Sequence, residues 1–397
     1  MKVALLCVAA AGGLLLLVNG VRRNDRGVSA ESAAGPPASA QVRPHRPAPY
    51  RVPADAVRVR SARGLRAALA NHARRTIVLA PGVYRGRRPF LNPAGHHLYA
   101  ARLGGSVLRA GLSMGGNTGR GGGLVRGLVV DVGDARRTVE GAAIAVWGTG
   151  RRTQILDTTV KGRATLRAGV AARRPDGLRI HRLVARGFTD AGVLVDANEP
   201  ARTKPREPFE VTDVDVARVA RPRPGSSNGR AEACVWIGDT GTVRRVRVRK
   251  CAWSGLWTGT AVRGARFDDI DVDGTPTGVY IEHFTRDSTF RGLLIGADVR
   301  IGLLAEWAGP EWGDRPASIG NMIEDSRFES TIAGVYLDEG STRTTVRRSA
   351  FVNQEWAAIG DYRWIGNAFY DNDYRGIAPG AQPVSRDHLT TFRDRQP

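Results

Sequence analysis

A hexapeptide that recurs about every 23 residues is the feature that most constrains how this chain folds. GVYIEH at 278–283 returns as GVYLDE at 334–339, and a looser copy, GLLAEW, lies between them at 302–307. Related hexapeptides begin at Ala142, Gly169, Gly192, Cys234 and Gly255, with a degraded copy near Ala358. A repeat of about 20 to 50 residues is typical of solenoids and related arrays, in which each copy packs on its neighbours.

The second half of each repeat alternates apolar and polar residues. Examples are VRRVRV at 243–248, STFRGLLI at 288–295 and TTVRRSAF at 344–351. A period of two is the pattern of a β-strand, and no long stretch with a helical period occurs outside 61–75. Leucine-rich repeats would need their leucine/asparagine signature, and propeller blades would run about 40 residues. The sequence therefore predicts an all-β solenoid in which each repeat is one coil of a parallel β-helix.

The repeat resembles the right-handed parallel β-helix superfamily to which pectate lyases and polygalacturonases belong. The resemblance covers about residues 55 to 385 and includes a short N-terminal capping helix, predicted for SARGLRAALANHARR at 61–75. It implies a right-handed fold that hosts lyases, hydrolases, epimerases, adhesins and phage fibres. The NTD, GHG and RIK elements of polygalacturonases and the DPHE element of mannuronan epimerases are absent. No catalytic residue can therefore be assigned from the family.

In such a coil, the side chains of each strand point alternately into and out of the core. Val279 and Ile281 must point inward, so Tyr280 and Glu282 point outward. Neighbouring coils lie about 4.8 Å apart, so equivalent positions form columns on the surface. The positions equivalent to Tyr280 form what we call the ring column: Ala171, Leu194, Trp236, Trp257, Tyr280, Leu304 and Tyr336. The positions equivalent to Glu282 form what we call the acid column: Arg173, Asp196, Gly238, Gly259, Glu282, Glu306 and Asp338.

The aromatic residues of the ring column have two interpretations. Rings on successive strands often stack only to stabilise a sheet. Alternatively, they form a platform for the C–H faces of sugar rings, which suits a linear polysaccharide. The residues predicted to bind substrate are Trp236, Trp257, Tyr280 and Tyr336, together with Trp307 and Trp312, which could fold over a bound chain.

Carboxylates on three successive coils, Glu282, Glu306 and Asp338, are candidate catalytic residues. Crowded like charges raise the pKa of one acid, which suits it to donate a proton, and paired carboxylates are the catalytic groups of glycosidases. The same oxygens could instead bind Ca²⁺, as in a lyase, or could be ordinary solvated surface. His283 and Arg286 follow Glu282 closely and are included as candidate catalytic residues.

The net charge of +21 comes almost wholly from arginine, because the chain has only four lysines. A basic protein attracts polyanions in general, but no nucleic-acid-binding motif or interleaved aromatic residue accompanies the arginine runs. We therefore expect a polysaccharide partner and no nucleic acid. The predicted function is to bind a linear polysaccharide and to cleave it as a lyase or hydrolase. The alternative is a non-catalytic cell-surface glycan-binding or structural β-helix protein.

The N-terminal segment predicts export. An apolar run from Val3 to Val18 is short for a membrane span and long enough for a signal-peptide core, whereas Arg22 and Arg23 favour an uncleaved anchor. We expect a secreted or cell-surface monomer that meets the membrane only if the anchor remains. The expected organisation is a signal peptide or anchor at 1–30, a Pro/Ala-rich linker at 31–53 and the β-helix domain at 54–397.

The cysteines leave two alternatives open. Cys234 and Cys251 can form a disulfide in an oxidising compartment or remain buried free thiols. Cys7 lies in the apolar N-terminal run. No Cys/His spacing resembles a zinc site. The sequence therefore predicts no cofactor other than Ca²⁺ at Glu282, Glu306 and Asp338.

Overall fold

The computed structural model describes most of the chain between Tyr50 and Ile377. The described residues are 50–115, 122–147, 152–173, 175–196, 207–219, 233–259, 262–282, 284–305, 318–330, 332–338, 340–361 and 366–377. The predicted signal or anchor at 1–30 and nearly all of the linker lie outside this range. Within it, no helix has the length and apolar character that crossing a membrane requires.

Among the described residues, 29 parallel strands form one continuous sheet that winds along the molecule, which confirms the predicted parallel β-helix. In the coil that begins with the first strand Thr277–Ile281, the second strand is Thr289–Arg291 and the third is Leu294–Ile295. Each strand pairs with its counterparts in the neighbouring coils. The hexapeptide forms the first strand of its coil, so successive copies of it lie side by side. A second sheet contains Thr285–Arg286, Ser318–Ile319 and Ser341–Thr342.

The strands of the long sheet follow in chain order, and several continuous strands contain more than one side of a coil. They are Val57–Val59, Thr76–Leu79, Gly82–Tyr84, Phe90–Asn92, His97–Ala100, Ser106–Leu108, Leu112–Met114, Leu124–Arg126, Val129–Asp131, Ala142–Val146, Gln154–Arg173, Arg179–Asp196, Phe209–Val219, Ala233–Gly238, Gly241–Cys251, Ser254–Thr258, Arg266–Asp273, Thr277–Ile281, Thr289–Arg291, Leu294–Ile295, Ile301–Ala305, Met322–Glu324, Arg327–Phe328, Ala333–Leu337, Thr345–Arg347, Ala350–Val352, Ala357–Asp361, Ala368–Tyr370 and Asp373–Arg375.

The predicted capping helix is present as Ala62–Leu69, shorter than the 61–75 segment that suggested it. Ser61 begins the helix, because its side chain accepts a hydrogen bond from the Gly64 backbone N–H at 3.1 Å. Leu65 and Leu69 are buried and join the core of the solenoid. The helix thus covers the end of a core that would otherwise be open to water, as the ends of solenoids require.

Inward-pointing residues of successive coils stack on one another to make the core. The Phe267 and Phe290 rings lie 4.7 Å apart and nearly parallel, and the Phe328 and Phe351 rings lie 5.2 Å apart. All four rings are fully buried. Stacked rings add to the apolar burial that stabilises each coil.

Packing inside each coil explains why the hexapeptide begins with glycine. A Cβ on Gly302 would collide with the carbonyl oxygen of Gly334 and would lie 2.5 Å from Cδ1 of Phe328. A Cβ on Gly278 would lie 2.9 Å from Cδ1 of Ile295. The side chain from the third strand therefore packs directly on the glycine of the first strand. The repeated glycine makes room for this close approach.

In the middle of the solenoid, the chain turns between the second and third strands of each coil at one residue with a left-handed backbone conformation. We call these turns corners. Five successive corners have φ between 51° and 57° and are occupied by Asp157, Arg182, Asp213, Arg245 and Asp269. Acid and base alternate, so neighbouring coils pair: Arg182 contacts Asp157, and Arg245 Nε lies 2.7 Å from Asp213 Oδ1. Part of the arginine content therefore stabilises the corners.

Cys234 and Cys251 form a disulfide, with their Cα atoms 5.7 Å apart. Both residues are buried, and the bond joins the first strand Ala233–Gly238 to the end of Gly241–Cys251. Of the two alternatives that the sequence leaves open, the structure contains the disulfide. Such bonds form and persist mainly in oxidising compartments.

Candidate functional site

The strand register confirms the ring column. Trp236 pairs with Trp257, which pairs with Tyr280, and the column continues through Leu304 to Tyr336. The indoles of Trp236 and Trp257 are stacked, with centroids 5.0 Å apart and planes 13° from parallel, and Tyr280 meets Trp257 edge-on at 5.1 Å. The sequence therefore identified which side chains lie side by side on the outer face of the first strands.

The exposure expected for the ring column is wrong for two of its aromatic members. Only 7% of Trp257 and 4% of Tyr280 are exposed, because Trp253, from the preceding turn, packs against both rings at 5.4 and 4.5 Å. Trp236 and Tyr336 are partly exposed. Stacking that stabilises the sheet accounts for Trp257 and Tyr280. Substrate binding by the four rings stays a prediction, with Trp236 and Tyr336 the better placed to contact a ligand.

Glu282 lies directly after the first strand Thr277–Ile281 and is held by the ring column. Trp257 Nε1 donates a hydrogen bond to Glu282 Oε2 at 3.0 Å. Burial raises the pKa of Glu282 from its ordinary 4.5 to about 7; the Trp257 bond lowers it, and the negative charge of Asp196 raises it further. The carboxyl group is therefore half protonated at neutral pH, which is the condition that a general acid needs.

Asp196 is the acid that the sequence placed in the acid column but not among the catalytic candidates. Asp196 pairs with Gly238, and its Oδ1 lies 3.0 Å from the position that a Cβ on Gly238 would occupy. The Asp196 carboxylate thus leans over the glycine toward Glu282, close enough to raise the pKa of Glu282. The sequence contained one indication of this arrangement. Gly238 and Gly259 lie between Asp196 and Glu282 in the acid column, and their lack of side chains leaves space between the two acids.

The second glycine, Gly259, accommodates an indole. A Cβ on Gly259 would lie 2.7 Å from Trp236 Nε1. One coil later, the equivalent N–H of Trp257 meets Glu282, whereas Trp236 Nε1 is buried and has no hydrogen-bond acceptor among the described residues. The Trp236 ring is therefore positioned by stacking on Trp257. The Trp257 ring, in contrast, donates a hydrogen bond to the carboxyl group of Glu282.

Asp338 occupies the acid-column position two coils beyond Glu282. Its backbone N–H donates to the Ala305 carbonyl at 2.8 Å, as that of Glu282 donates to Thr258 at 3.0 Å. Two coil spacings separate the two positions by about 10 Å. Glu306, on the coil between them, lies outside the described residues. The structure thus places Glu282 and Asp338 at equivalent positions on one face of the solenoid.

Of the remaining candidates, the structure describes Arg286. His283, Trp307 and Trp312 lie outside the described residues. Arg286 belongs to the small sheet, where it pairs with Ile319. Among the residues that the structure describes, no group of three His, Cys, Asp or Glu side chains is arranged to hold a metal ion. A Ca²⁺ site at Glu282, Glu306 and Asp338 stays a prediction.

The raised pKa of Glu282 predicts a pH-dependent cost in folding stability. Between pH 4.5 and about 7 the unfolded chain loses the proton that the folded chain retains, so the free energy of unfolding falls as pH rises. The shift corresponds to at most about 3 kcal/mol, reduced to about 2 kcal/mol by partial exposure. Glu282→Gln, which resembles the protonated form, should match wild type at pH 4 and exceed it by that amount at pH 8.

Urea unfolding of both proteins at pH 4 and pH 8 measures this difference. All other titrating groups are shared, so their contributions cancel when the two proteins are compared at one pH. Equal stability of wild type and variant at pH 8 would show that Glu282 ionises as an ordinary surface carboxyl.

Comparison with known proteins identifies the fold. No protein-family model and no curated protein matches the sequence. A mannuronic acid specific polysaccharide family 6 lyase from the human gut microbiota aligns with 85% of this chain and 94% of its own, at 11% identity and a TM-score of 0.52. This likeness shows the parallel β-helix fold, which confirms the resemblance that the repeat suggested.

Two further solved structures are similar at a lower score. The catalytic domain of a GH87 alpha-1,3-glucanase aligns with 86% of this chain and 67% of its own, at 12% identity and a TM-score of 0.48. The A-module of the Azotobacter vinelandii mannuronan C-5 epimerase AlgE6 aligns with 82% of this chain and 95% of its own, at 14% identity and a TM-score of 0.44.

Proposed function

We propose that this chain is an exported glycoside hydrolase that cleaves a linear polysaccharide along the outer face of its first strands. Glu282 is the general acid and Asp338 the general base. The observation that carries the proposal is the carboxyl group of Glu282, which is partly buried beside the ring column, accepts a hydrogen bond from the Trp257 indole and has a pKa of about 7. The fold shared with a polysaccharide lyase supports a polysaccharide as the substrate class.

The spacing of the acids favours hydrolysis with inversion. An inverting glycosidase needs an acid on one side of the scissile bond and a base on the other, about 6.5–9.5 Å away, with a water molecule between them. Glu282 and Asp338 are two coils apart, which separates their backbone positions by about 10 Å, close to the upper end of this range. Glu282 donates its proton to the leaving oxygen, and Asp338 removes a proton from the attacking water.

The protonated state of Glu282 argues against the Ca²⁺-dependent lyase alternative. A carboxyl group with a pKa of about 7 keeps its proton on half of the molecules at neutral pH. Calcium ions bind ionised carboxylates, so a Ca²⁺ ion at Glu282 would have to compete with this proton. The same proton is useful to a hydrolase, in which the leaving oxygen must be protonated.

Export is proposed from two features of the chain. The apolar segment from Val3 to Val18 has the length of a signal-peptide core. The disulfide between Cys234 and Cys251 suits an oxidising compartment. An extracellular polysaccharide is the substrate that such a location makes available.

The reaction is tested on a panel of neutral and acidic polysaccharides, with Ca²⁺ and with a chelator. We expect new reducing ends without the ultraviolet absorbance of unsaturated products, and equal rates in both conditions. Asp338→Asn should lower the rate of reducing-end release by roughly 10²-fold or more, because the water then lacks its base. If the ultraviolet absorbance of unsaturated products rose together with the reducing ends, the enzyme would be a lyase and not a hydrolase.

The rival function is a non-catalytic glycan-binding or structural β-helix protein. The burial of Trp257 and Tyr280 favours it, because rings packed inside the column stabilise the sheet without contacting a ligand. In that case the panel releases no reducing ends, and Asp338→Asn binds the polysaccharides as the wild type does. A rate that depends on Asp338 excludes this function.

A further inference from the structure

A basic cavity lies on the outer face of the third strands, near the N-terminal end of the solenoid. Its volume is about 410 Å³, within the range of ligand sites. We call it the basic pocket. Its lining residues are Arg85, Arg109, Asp131, Gly133, Asp134, Arg137 and Arg163. None of them belongs to the ring or acid column, so an inference about this pocket does not depend on the proposed function.

The coil register brings the basic residues of the pocket together. Tyr84 pairs with Leu108, and Leu108 pairs with Val130. The residues that follow these three, Arg85, Arg109 and Asp131, therefore occupy one outward column. Lys161 pairs with Asp131 and continues the same column one coil further. Arg85 and Arg109 are thus one coil apart, about 4.8 Å, and Lys161 lies two coils beyond Arg109, on the far side of Asp131. Cations spaced along the axis in this way suit a polymer that carries repeated negative charges.

The carboxylates of the pocket do not balance its guanidinium groups. Asp131 is shared by Arg109 at 2.8 Å and Arg163 at 3.2 Å, and Asp134 lies 3.4 Å from Arg137. Four arginines thus face two aspartates. Nε of Arg109 is buried and has no hydrogen-bond acceptor within the described part of the chain. A ligand that carries oxyanions would balance this excess of positive charge.

We propose that the basic pocket binds carboxylate groups of an acidic polysaccharide, at a place separate from the site around Glu282. Arginine pairs with carboxylates through two parallel hydrogen bonds, which gives geometric selectivity as well as charge attraction. The lining residues include no aromatic side chain on which a nucleic-acid base could stack, and this favours a polysaccharide. An acidic chain held here would keep the protein on an anionic matrix.

The test is calorimetric binding of hexagalacturonate to the full chain carrying Glu282→Gln, so that no turnover occurs. Arg85→Gln with Arg163→Gln removes two solvent-accessible cations of the pocket and leaves the shorter Arg109–Asp131 ion pair in place. We expect the dissociation constant to rise roughly tenfold or more. The matched control is Arg263→Gln, an exposed arginine outside the pocket, which should change the dissociation constant less than about twofold.

Salt and a competing polymer complete the design. Binding should weaken from 0.05 to 0.5 M salt, since the contacts are ionic, and the double variant should weaken less steeply. If Arg263→Gln lost as much affinity as the double variant, the loss would come from the lower net charge of the protein. That result would overturn the proposal that the basic pocket is the binding site. Tighter binding of an oligodeoxythymidylate, lost in the same double variant, would overturn the assignment to a polysaccharide.

Discussion

Replacing Glu282 by glutamine is expected to lower kcat on the polysaccharide substrate by about 10²–10⁴-fold. Glutamine has the same size and can still accept the hydrogen bond from Trp257 Nε1, so the packing of the ring column should persist. It has no proton to give to the leaving oxygen. The measurement is the rate of reducing-end release at saturating substrate, which isolates the chemical step from binding.

The matched control for this change is Glu329→Gln. Glu329 is a partly exposed carboxylate paired with Arg327 at 2.6 Å, so its replacement removes the same charge from a different surface. We expect its kcat to stay within about twofold of wild type. If Glu282→Gln kept more than about a tenth of the wild-type rate, Glu282 would not be the general acid.

The pH dependence of the same reaction provides a second check on Glu282. The group acts in its protonated form, so kcat should fall as pH rises above about 7. Asp196→Asn removes a charge that raises this pKa, so the fall should begin at lower pH. Trp257→Phe removes a hydrogen bond that lowers the pKa, so the fall should begin at higher pH. Shifts of opposite direction distinguish these roles from general loss of structure.

The sequence predicted the ring column and the described positions of the acid column correctly, because strand alternation leaves little freedom. Val279 and Ile281 are apolar and two residues apart, so burying both forces Tyr280 and Glu282 onto the outer face. A shift of one residue would have exposed the apolar pair. The period of the repeat then determines which residues neighbour each other, and the observed pairing of Tyr280 with Leu304 follows from it.

The environment of Glu282 could not be predicted in the same way. Trp253 buries the neighbouring rings, but it belongs to the turn before the strand, and no periodic pattern places a turn side chain. Asp196 is three coils from Glu282 in the column, and its influence depends on the direction in which its side chain leans over Gly238. Side-chain direction and burial set a pKa, and both emerge only from the packed structure.

Replacing Gly302 by alanine is expected to destabilise the solenoid by about 3 kcal/mol, at the upper end of what overpacking costs. The added Cβ would meet the Gly334 carbonyl oxygen and the Phe328 ring at once. A ring can rotate, but a backbone carbonyl bonded into a parallel sheet has no free direction in which to move. Urea unfolding measures the loss as a lower midpoint with an unchanged slope.

Two further variants separate this close packing from the general effect of replacing glycine. Gly133→Ala places a Cβ 3.3 Å from only the flexible Arg163 side chain, so its stability should stay within about 0.5 kcal/mol of wild type. Phe328→Ala removes the ring, so Gly302→Ala should cost less in that background than alone. An equal cost in both backgrounds would assign the requirement to the Gly334 carbonyl. No cost in either would contradict close packing as the reason that the hexapeptide begins with glycine.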